Sequence, residues 1–332
     1  MKAIRADPPG GPEQLRAVDV EIPQPGPDEV LVRIHATALN RADILQRQGR
    51  YDPPKGVTDI LGLEGAGIVA APGSNVDRWK TGDRVFGLLA GGGYAEYAVF
   101  PNGHLMEMPE HLSFEEAAAI PEAFLTAFQA LVLIGRLQAG ETVLIHAGAS
   151  GVGTAAIQVA RASGVTPLVT ASRPKHDLCL SLGAAHAIDY KHQQFDDEVL
   201  RLTGGTGAHL IVDFIGAPYL VQNIRAAAVD GRLVLLALMG GAEVPDFRLG
   251  SLFRKRLSIT ASTLRNRALG YKTDLVRRFE EAVLPRIAAG EISPVIDSRF
   301  NFERVSDAHR RMESNLNAGK IVLTLIEGSA RF

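Results

Sequence analysis

The run Val143-Leu144-Ile145-His146-Ala147 passes directly into Gly148-Ala149-Ser150-Gly151-Val152-Gly153 and then Thr154-Ala155-Ala156-Ile157-Gln158-Val159-Ala160. An apolar strand, a glycine turn and a helix start in that order restrict the fold more than any other feature of the chain. The first amides of the helix, and the positive end of its dipole, face the turn, the arrangement a phosphate group requires. A glycine triplet alone is a weak signal, and its surroundings strengthen it. Candidate strands recur at 142–147, 166–171, 186–190, 210–215, 233–238 and 257–262, with helices starting near Gly151, Pro174, Phe195, Tyr219 and Pro245. Strands separated by helix-length crossovers imply a parallel sheet, covered on both faces and joined by right-handed connections.

The first third has a different texture. Glu29-Val30-Leu31-Val32-Arg33-Ile34-His35-Ala36 and similar short runs lie between Pro and Gly clusters at 23–27 and 53–56, the pattern of short strands in a twisted sheet or barrel. A chain of 332 residues exceeds the usual size of one core, so two domains are expected. The tail beyond Arg265, which ends in the strand-like Lys320–Leu325, is too small to stand alone and is expected to rejoin the first part. The expected architecture is α/β: a Rossmann-type, doubly wound parallel-sheet domain at 125–266, inserted in a mostly β catalytic domain made of 1–124 and 267–332, with a cleft between them.

Charged residues make up 22% and the formal net charge is −2, so no basic footprint points to nucleic acid or to an anionic membrane surface. A small molecule is the expected partner. The single cysteine, Cys179, excludes an internal disulfide framework and a four-thiolate zinc site. Met1–Pro9 carries charges and prolines where an export signal needs an apolar core, and the apolar stretch 117–134 is interrupted by Pro121, Glu122 and Gln129. A cytoplasmic location is expected.

Ser150 stands where G-x-G-x-x-G has its middle glycine, so its side chain either shifts the turn or touches the ligand. NAD-binding chains place an acidic residue after the second strand to hold the ribose 2′-hydroxyl. Here the place reads Ala171-Ser172-Arg173-Pro174-Lys175, a hydroxyl and two cations that suit a 2′-phosphate. NADPH is therefore expected over NADH, against the alternative that Arg173 and Lys175 merely cover an exposed helix start.

These residues resemble the zinc-free quinone oxidoreductases of the medium-chain dehydrogenase/reductase superfamily, the group that includes zeta-crystallin. The likeness rests on Gly140-Glu141-x-x-Leu144, Gly148–Gly153 and Gln158-x-x-Arg161. It is nearest to the tumour-suppressor-induced quinone oxidoreductase subgroup. That subgroup shares Asn40–Asp43, Gln46–Gly49, Tyr51–Pro54, Ile120–Ala123, Leu125–Gln129, His146–Gly148 and the serine. The resemblance spans essentially the whole chain. It implies a GroES-like catalytic domain around the Rossmann domain, NADPH as cofactor without zinc or flavin, quinones as acceptors, and a homodimer. Position by position it implies that Ser150, Gly151 and Val152 meet the pyrophosphate, and Ser172, Arg173, Lys175 and Tyr190 the 2′-phosphate region. Ile215, Gly216, Leu238, Met239, Gly240, Ser262, Thr263 and Leu264 would line the nicotinamide half, with Asn40, Tyr51 and Thr126 facing the cleft and Asn317 in a C-terminal contact loop. Ser172-Arg173-Pro174 departs from the relatives, which often have a glycine there and a later lysine.

In zinc-dependent relatives a cysteine and a Gly-His-Glu run hold the ion. Here Asn40 occupies the first place and the run reads Gly62-Leu63-Glu64-Gly65, so no metal is expected. Glu64 is expected to satisfy local backbone or pair with a cation, Asp43 and Arg41 to pair with each other, and none of the nine histidines to bind metal. Hydride transfer needs alignment and a hydrogen-bond donor for the developing oxyanion, and the candidates are Tyr51 with Asn40. Two alternatives stay open: NADPH-dependent reduction of an enone or alkenal double bond, and a non-catalytic NADPH-binding structural or sensing protein. The strand at 257–262 is expected to form the sheet edge through which two copies pair.

Overall fold

A computed structural model describes residues 1–245 and 247–325. The chain divides into two compact units, Met1–Leu125 with Leu264–Phe332, and Thr126–Thr263. The boundaries thus fall at 125/126 and 263/264, where the sequence places them at 124/125 and 266/267.

The first unit opens with an antiparallel pair, β1 (Lys2–Ala6) and β2 (Leu15–Asp19). It continues through β3 (Glu29–Ala38), α1 (Arg41–Arg47), β4 (Glu64–Pro72), β5 (Arg84–Leu88), β6 (Tyr97–Pro101), β7 (Leu105–Glu107) and α2 (Phe114–Ala118). The long β3 is covered on both faces over most of its length, with Leu31, His35 and Thr37 buried as well as the residues that alternate with them. Val30, Val32 and Ile34 enter a core cluster with Val69, Val85, Phe100 and Leu105, while Arg33 stays exposed. Helix α3 (Pro121–Phe128) leads into the second unit and continues as a π-helical segment, Gln129–Ile134.

The second unit alternates strand and helix: β8 (Thr142–Ile145), α4 (Gly151–Ala162), β9 (Thr166–Ala171), α5 (His176–Ser181), β10 (His186–Asp189), α6 (Phe195–Leu202), β11 (Ala208–Asp213), α7 (Ala217–Ala226), β12 (Ala227–Leu235), α8 (Gly250–Lys255) and β13 (Ser258–Ala261). All six strands are parallel, in the order β10-β9-β8-β11-β12-β13. The order reverses direction between β8 and β11, the switch point at which open α/β sheets bind ligands. Leu144, Leu168, Ile188, Ile211 and Leu233, one from each of five adjacent strands, share a core cluster with Phe195 and Val199 of α6.

Several local boundaries need correction, among them the strand expected at 233–238, which runs from Ala227 to Leu235. The helix expected near Pro245 starts at Gly250, and its first turn is tied by Phe253 N to Leu249 O. The strand expected to run to Ala147 ends at Ile145, because Ala147 takes a left-handed φ of 50° to enter the turn.

The chain then returns to the first unit through α9 (Leu269–Ala282), α10 (Leu284–Ala288), β14 (Ile296–Asn301), α11 (Val305–Glu313) and β15 (Lys320–Thr324). Strand β15 pairs antiparallel with β3, which extends the sheet to the order β14-β15-β3-β4-β5-β7, with β6 also paired to β3. Ile321 and Leu323 close a core with Ile4, Leu39, Ile44, Tyr94 and Met312. No helix among the described residues is long and apolar enough to cross a membrane.

Candidate functional site

Five strands of the second unit deliver the sequence-selected residues at the carboxyl edge of its sheet. Ser150 follows β8, Ser172 follows β9, Tyr190 follows β10, Ile215 and Gly216 follow β11, and Ser262 and Thr263 follow β13. Leu238, Met239 and Gly240 lie in the loop after the remaining strand, β12. Thr126 is the first residue of this unit, whereas Leu264 clusters with the other.

Ser150 is the N-cap of α4, and its Oγ accepts from Gly153 N at 3.0 Å. That bond uses an oxygen lone pair and leaves the hydroxyl hydrogen free to donate. The amides of Gly151 and Val152 have no partner among the described residues, as the first turn of a helix dictates. Three donors therefore converge on the opening of a 12-residue helix, a set that fits an anionic diphosphate. Close approach is built in: a Cβ at Gly148 would lie 2.6 Å from Val169 Cβ, and one at Gly153 would lie 2.4 Å from Ala147 O. Beside this opening, Arg173 is exposed with no bonded partner among the described residues, and no carboxylate occupies the turn 172–175.

The loop after β11 is held from beneath. Buried Asp213 accepts from Ile215 N at 2.6 Å, from Gly216 N at 3.2 Å and from Asn223 Nδ2 at 3.0 Å. Asn223 therefore turns its Oδ1 to His146 Nε2, 2.7 Å away, which makes Nε2 the donor and leaves Nδ1 to accept from Thr170 Oγ1 at 2.9 Å. Burial pushes His146 down to about 4, so it is neutral. Gly216, at φ 85°, is required: a Cβ there would lie 2.7 Å from Leu238 Cδ2 and 2.8 Å from Gly241 O. Met239 N and Gly240 N bond Phe214 O and Ile215 O at 3.1 and 2.8 Å, which locks the two loops together.

In the first unit, Asn40 caps α1 and belongs to a buried ionic cluster. Lys320 Nζ donates to Leu39 O, Asn40 Oδ1 and Glu64 Oε1 at 2.8, 2.6 and 2.7 Å. Asn40 Nδ2 also donates to Glu64 Oε1 at 2.7 Å, and Glu122 N donates to Glu64 Oε2 at 2.8 Å. Glu64 thus pairs with a cation and caps backbone, and both ends of the Asn40 amide are engaged.

Asp43 does not pair with Arg41. Fully buried, it accepts from Asn40 N at 2.7 Å, Gly62 N at 3.1 Å and Tyr94 OH at 3.3 Å, and burial pushes it up to about 6. Arg41 instead reaches Asn315 Oδ1 at 2.8 Å and Met312 O at 3.3 Å. The first turn of α1 needs an acceptor for its free amide, and a cap outcompetes a solvated ion pair.

Tyr51 lies half-buried in the loop after α1, with the Arg265 guanidinium 5.2 Å from its ring centroid. Its hydroxyl makes no hydrogen bond among the described residues. Burial raises its pKa, Arg265 opposes that shift and Glu122 adds to it, so the phenol keeps its proton. Arg265 is itself fixed by Ala90 O and Gln46 Oε1, each at 2.7 Å. Asn317 Nδ2 donates to Gly319 O at 3.2 Å within its own loop. No group of three or more His, Cys, Asp or Glu among the described residues could hold a metal ion.

Sequence reading missed Lys320, Arg265 and the Asp213–Asn223–His146 relay, whose members are far apart in the chain. Glu122 carried a signal, as a carboxylate interrupting the apolar stretch 117–134.

Two family descriptions match the chain: an alcohol dehydrogenase GroES-like domain over residues 26–110 and a zinc-binding dehydrogenase domain over 151–283. The chain is 37% identical to the synaptic vesicle membrane protein VAT-1 homolog of Rattus norvegicus, over 91% of this chain and 78% of that one. It is 30% identical to the quinone oxidoreductase of Homo sapiens, over 98% of both. Among solved structures, one described as an NAD-dependent alcohol dehydrogenase shares 34% identity at a TM-score of 0.88, covering 98% of this chain and all of its own. A mycobacterial protein solved in complex with NADPH shares 30% at 0.87, over the same extents.

Proposed function

Because the chain belongs to the zinc-free, quinone oxidoreductase-like family of the medium-chain dehydrogenase/reductase superfamily, we propose that it is an NADPH-dependent, metal-free reductase of quinones. Membership makes it a nicotinamide-dependent oxidoreductase acting on a small molecule. The observation that carries the finer reading is the carboxyl edge of the parallel sheet. Among the described residues the amides of Gly151 and Val152 are unpartnered, and the strand next to theirs ends in a turn with Arg173 and Lys175 and no carboxylate.

In this reading Ser150, Gly151 and Val152 bind the pyrophosphate, and Ser172, Arg173, Lys175 and Tyr190 the 2′-phosphate end. Ile215, Gly216, Leu238, Met239, Gly240, Ser262, Thr263 and Leu264 would hold the nicotinamide half, with Thr126 and Asn317 as further cofactor contacts. When bound, such a nucleotide would supply a hydride. Tyr51 donates a hydrogen bond to the acceptor oxygen on which charge develops, and Asn40, braced by Lys320 and Glu64, fixes the surface beside it. The Glu64 carboxylate already has Lys320 as its counter-ion, in keeping with a site that works without metal. The reading includes a cytoplasmic location and a homodimer formed through β13. Every residue of that strand is exposed, and Leu249 and Phe253 are bare beside it on and near α8.

The test follows nucleotide absorbance with NADPH and NADH against a quinone and an alkenal in parallel. Faster oxidation of NADPH with the quinone is the expected result. Preference for the alkenal would reassign the acceptor, and saturable NADPH binding without turnover on either would make the chain a nucleotide-binding protein only.

A further inference from the structure

Gln129 opens the π-helical segment that continues α3, and its side chain is completely buried. Its Nε2 donates to Ser262 Oγ at 2.9 Å, a contact between residues 133 apart in the chain. Its Oε1 is buried with no hydrogen-bond partner among the described residues. Thr126 lies three residues earlier on α3, a spacing that puts the two side chains on one face of the helix. Thr126 and Ser262 are both cofactor contacts in the reading above, and Gln129 connects them within the second unit.

Packing does not account for a glutamine here. A buried amide oxygen without a donor is costly, and an apolar side chain of the same length would fill the space without that cost. The backbone is also irregular at this point: Gly135 N donates to Ala130 O at 2.9 Å, one residue further back than an α-helix reaches, an insertion that recurs at functional sites. What the amide provides is a fixed donor to Ser262. With that N–H on its oxygen, the Ser262 hydroxyl must turn its hydrogen away from Gln129. The hydrogen is directed to Thr263 O at 3.4 Å, longer than an O–H···O bond of full strength, so a better acceptor can take it over.

We propose that Gln129 is a positioning residue for the nicotinamide, holding the Ser262 hydroxyl as a donor to the carboxamide oxygen and so fixing the rotation of the ring. The inference rests on the cofactor reading above. Gln129 acts through Ser262 and has no need to touch the nucleotide.

The experiment measures dissociation constants for NADPH and for 2′,5′-ADP, which carries the 2′-phosphate but no nicotinamide. It uses the whole protein as wild type, Q129M, S262A and the double variant. Methionine keeps the length of glutamine and lacks its amide. Q129M and S262A are each expected to weaken NADPH binding by about fivefold to tenfold and to leave 2′,5′-ADP unchanged, and the double variant to lose no more than S262A alone. Losses that add in the double variant overturn the proposal, as do equal losses for both nucleotides, which would make Gln129 a packing residue. Should Q129M fail to fold, a crystal structure of wild type with NADPH decides. Ser262 Oγ within hydrogen-bond distance of both Gln129 Nε2 and the carboxamide oxygen is the expected result, and separation from either overturns the proposal. Wild type that binds neither nucleotide overturns the cofactor reading and this inference with it, whereas NADPH binding that Q129M leaves unchanged overturns the role of Gln129 alone.

Discussion

Among the described residues Arg173 and Tyr51 each have an unengaged polar group, and each carries a separable part of the proposed activity. Removing the guanidinium in R173A takes away a charge-assisted contact of about 1.5–3 kcal/mol. The KM for NADPH should rise about tenfold or more, with that for NADH nearly constant. Equal effects on both nucleotides would show that Arg173 only covers the surface. Loss of the Tyr51 hydroxyl in Y51F should lower kcat by about tenfold to hundredfold with little change in nucleotide KM, since an oxyanion donor acts in the transition state. Full turnover by Y51F would remove its assigned role. Sequence pattern pointed to these two because both stand in local motifs. Arg265 escaped it because its partners Gln46 and Ala90 are supplied from 219 and 175 residues away.

At the scale of elements, the opening of α4 makes the most compact test. Ser150 caps the helix and is also the proposed pyrophosphate contact, so S150A should cost about 1 kcal/mol of stability, read as a lower urea midpoint, and should weaken NADPH binding as well. A lower midpoint with unchanged binding would leave Ser150 a cap alone. The strand–turn–helix alternation from 142 onward was legible because each parallel strand is a short apolar run and each crossover a helix with its own start signal. Boundaries were less legible. A left-handed Ala147 is no part of any periodicity, and the helix near Pro245 has too weak an apolar pattern to fix its first turn. The ionic cluster of Lys320, Glu64 and Asn40 was beyond reading, since nothing local to Lys320 marks a cation 5% exposed. Glu64 was expected to satisfy backbone or pair with a cation, but the identity of the cation it pairs with depends on β15 pairing with β3.

The whole molecule responds to pH through groups that burial holds neutral. His104 and His146 are pushed down to about 4, and His309 to about 3. A folded pKa below the unfolded one means that stability is fully present above about 6.5 and is lost as pH falls toward those values. His146 alone should contribute about 3 kcal/mol. Asp43 and Glu122 work in the opposite sense. Their contribution is complete below the unfolded carboxylate range and is lost as pH rises through about 6 and about 8. Between pH 6 and 4 the three histidines outweigh the two carboxyls, which gain stability over the same interval, so urea midpoints should fall on balance, and midpoints that rise over that range would contradict the neutral histidines. Pairing of two copies through β13 predicts a dimer mass by light scattering at micromolar concentration and a monomer for F253E; a monomeric wild type would reject the pairing. The placement of Lys320 bears on synthesis. The nucleotide-binding half is a single stretch, 126–263, complete long before translation reaches β15. The other half lacks the strand beside β3, and the ammonium that neutralises Glu64, until the ribosome has passed Thr324. The growing chain can therefore mature its Rossmann unit first and leave the other unit waiting for β15.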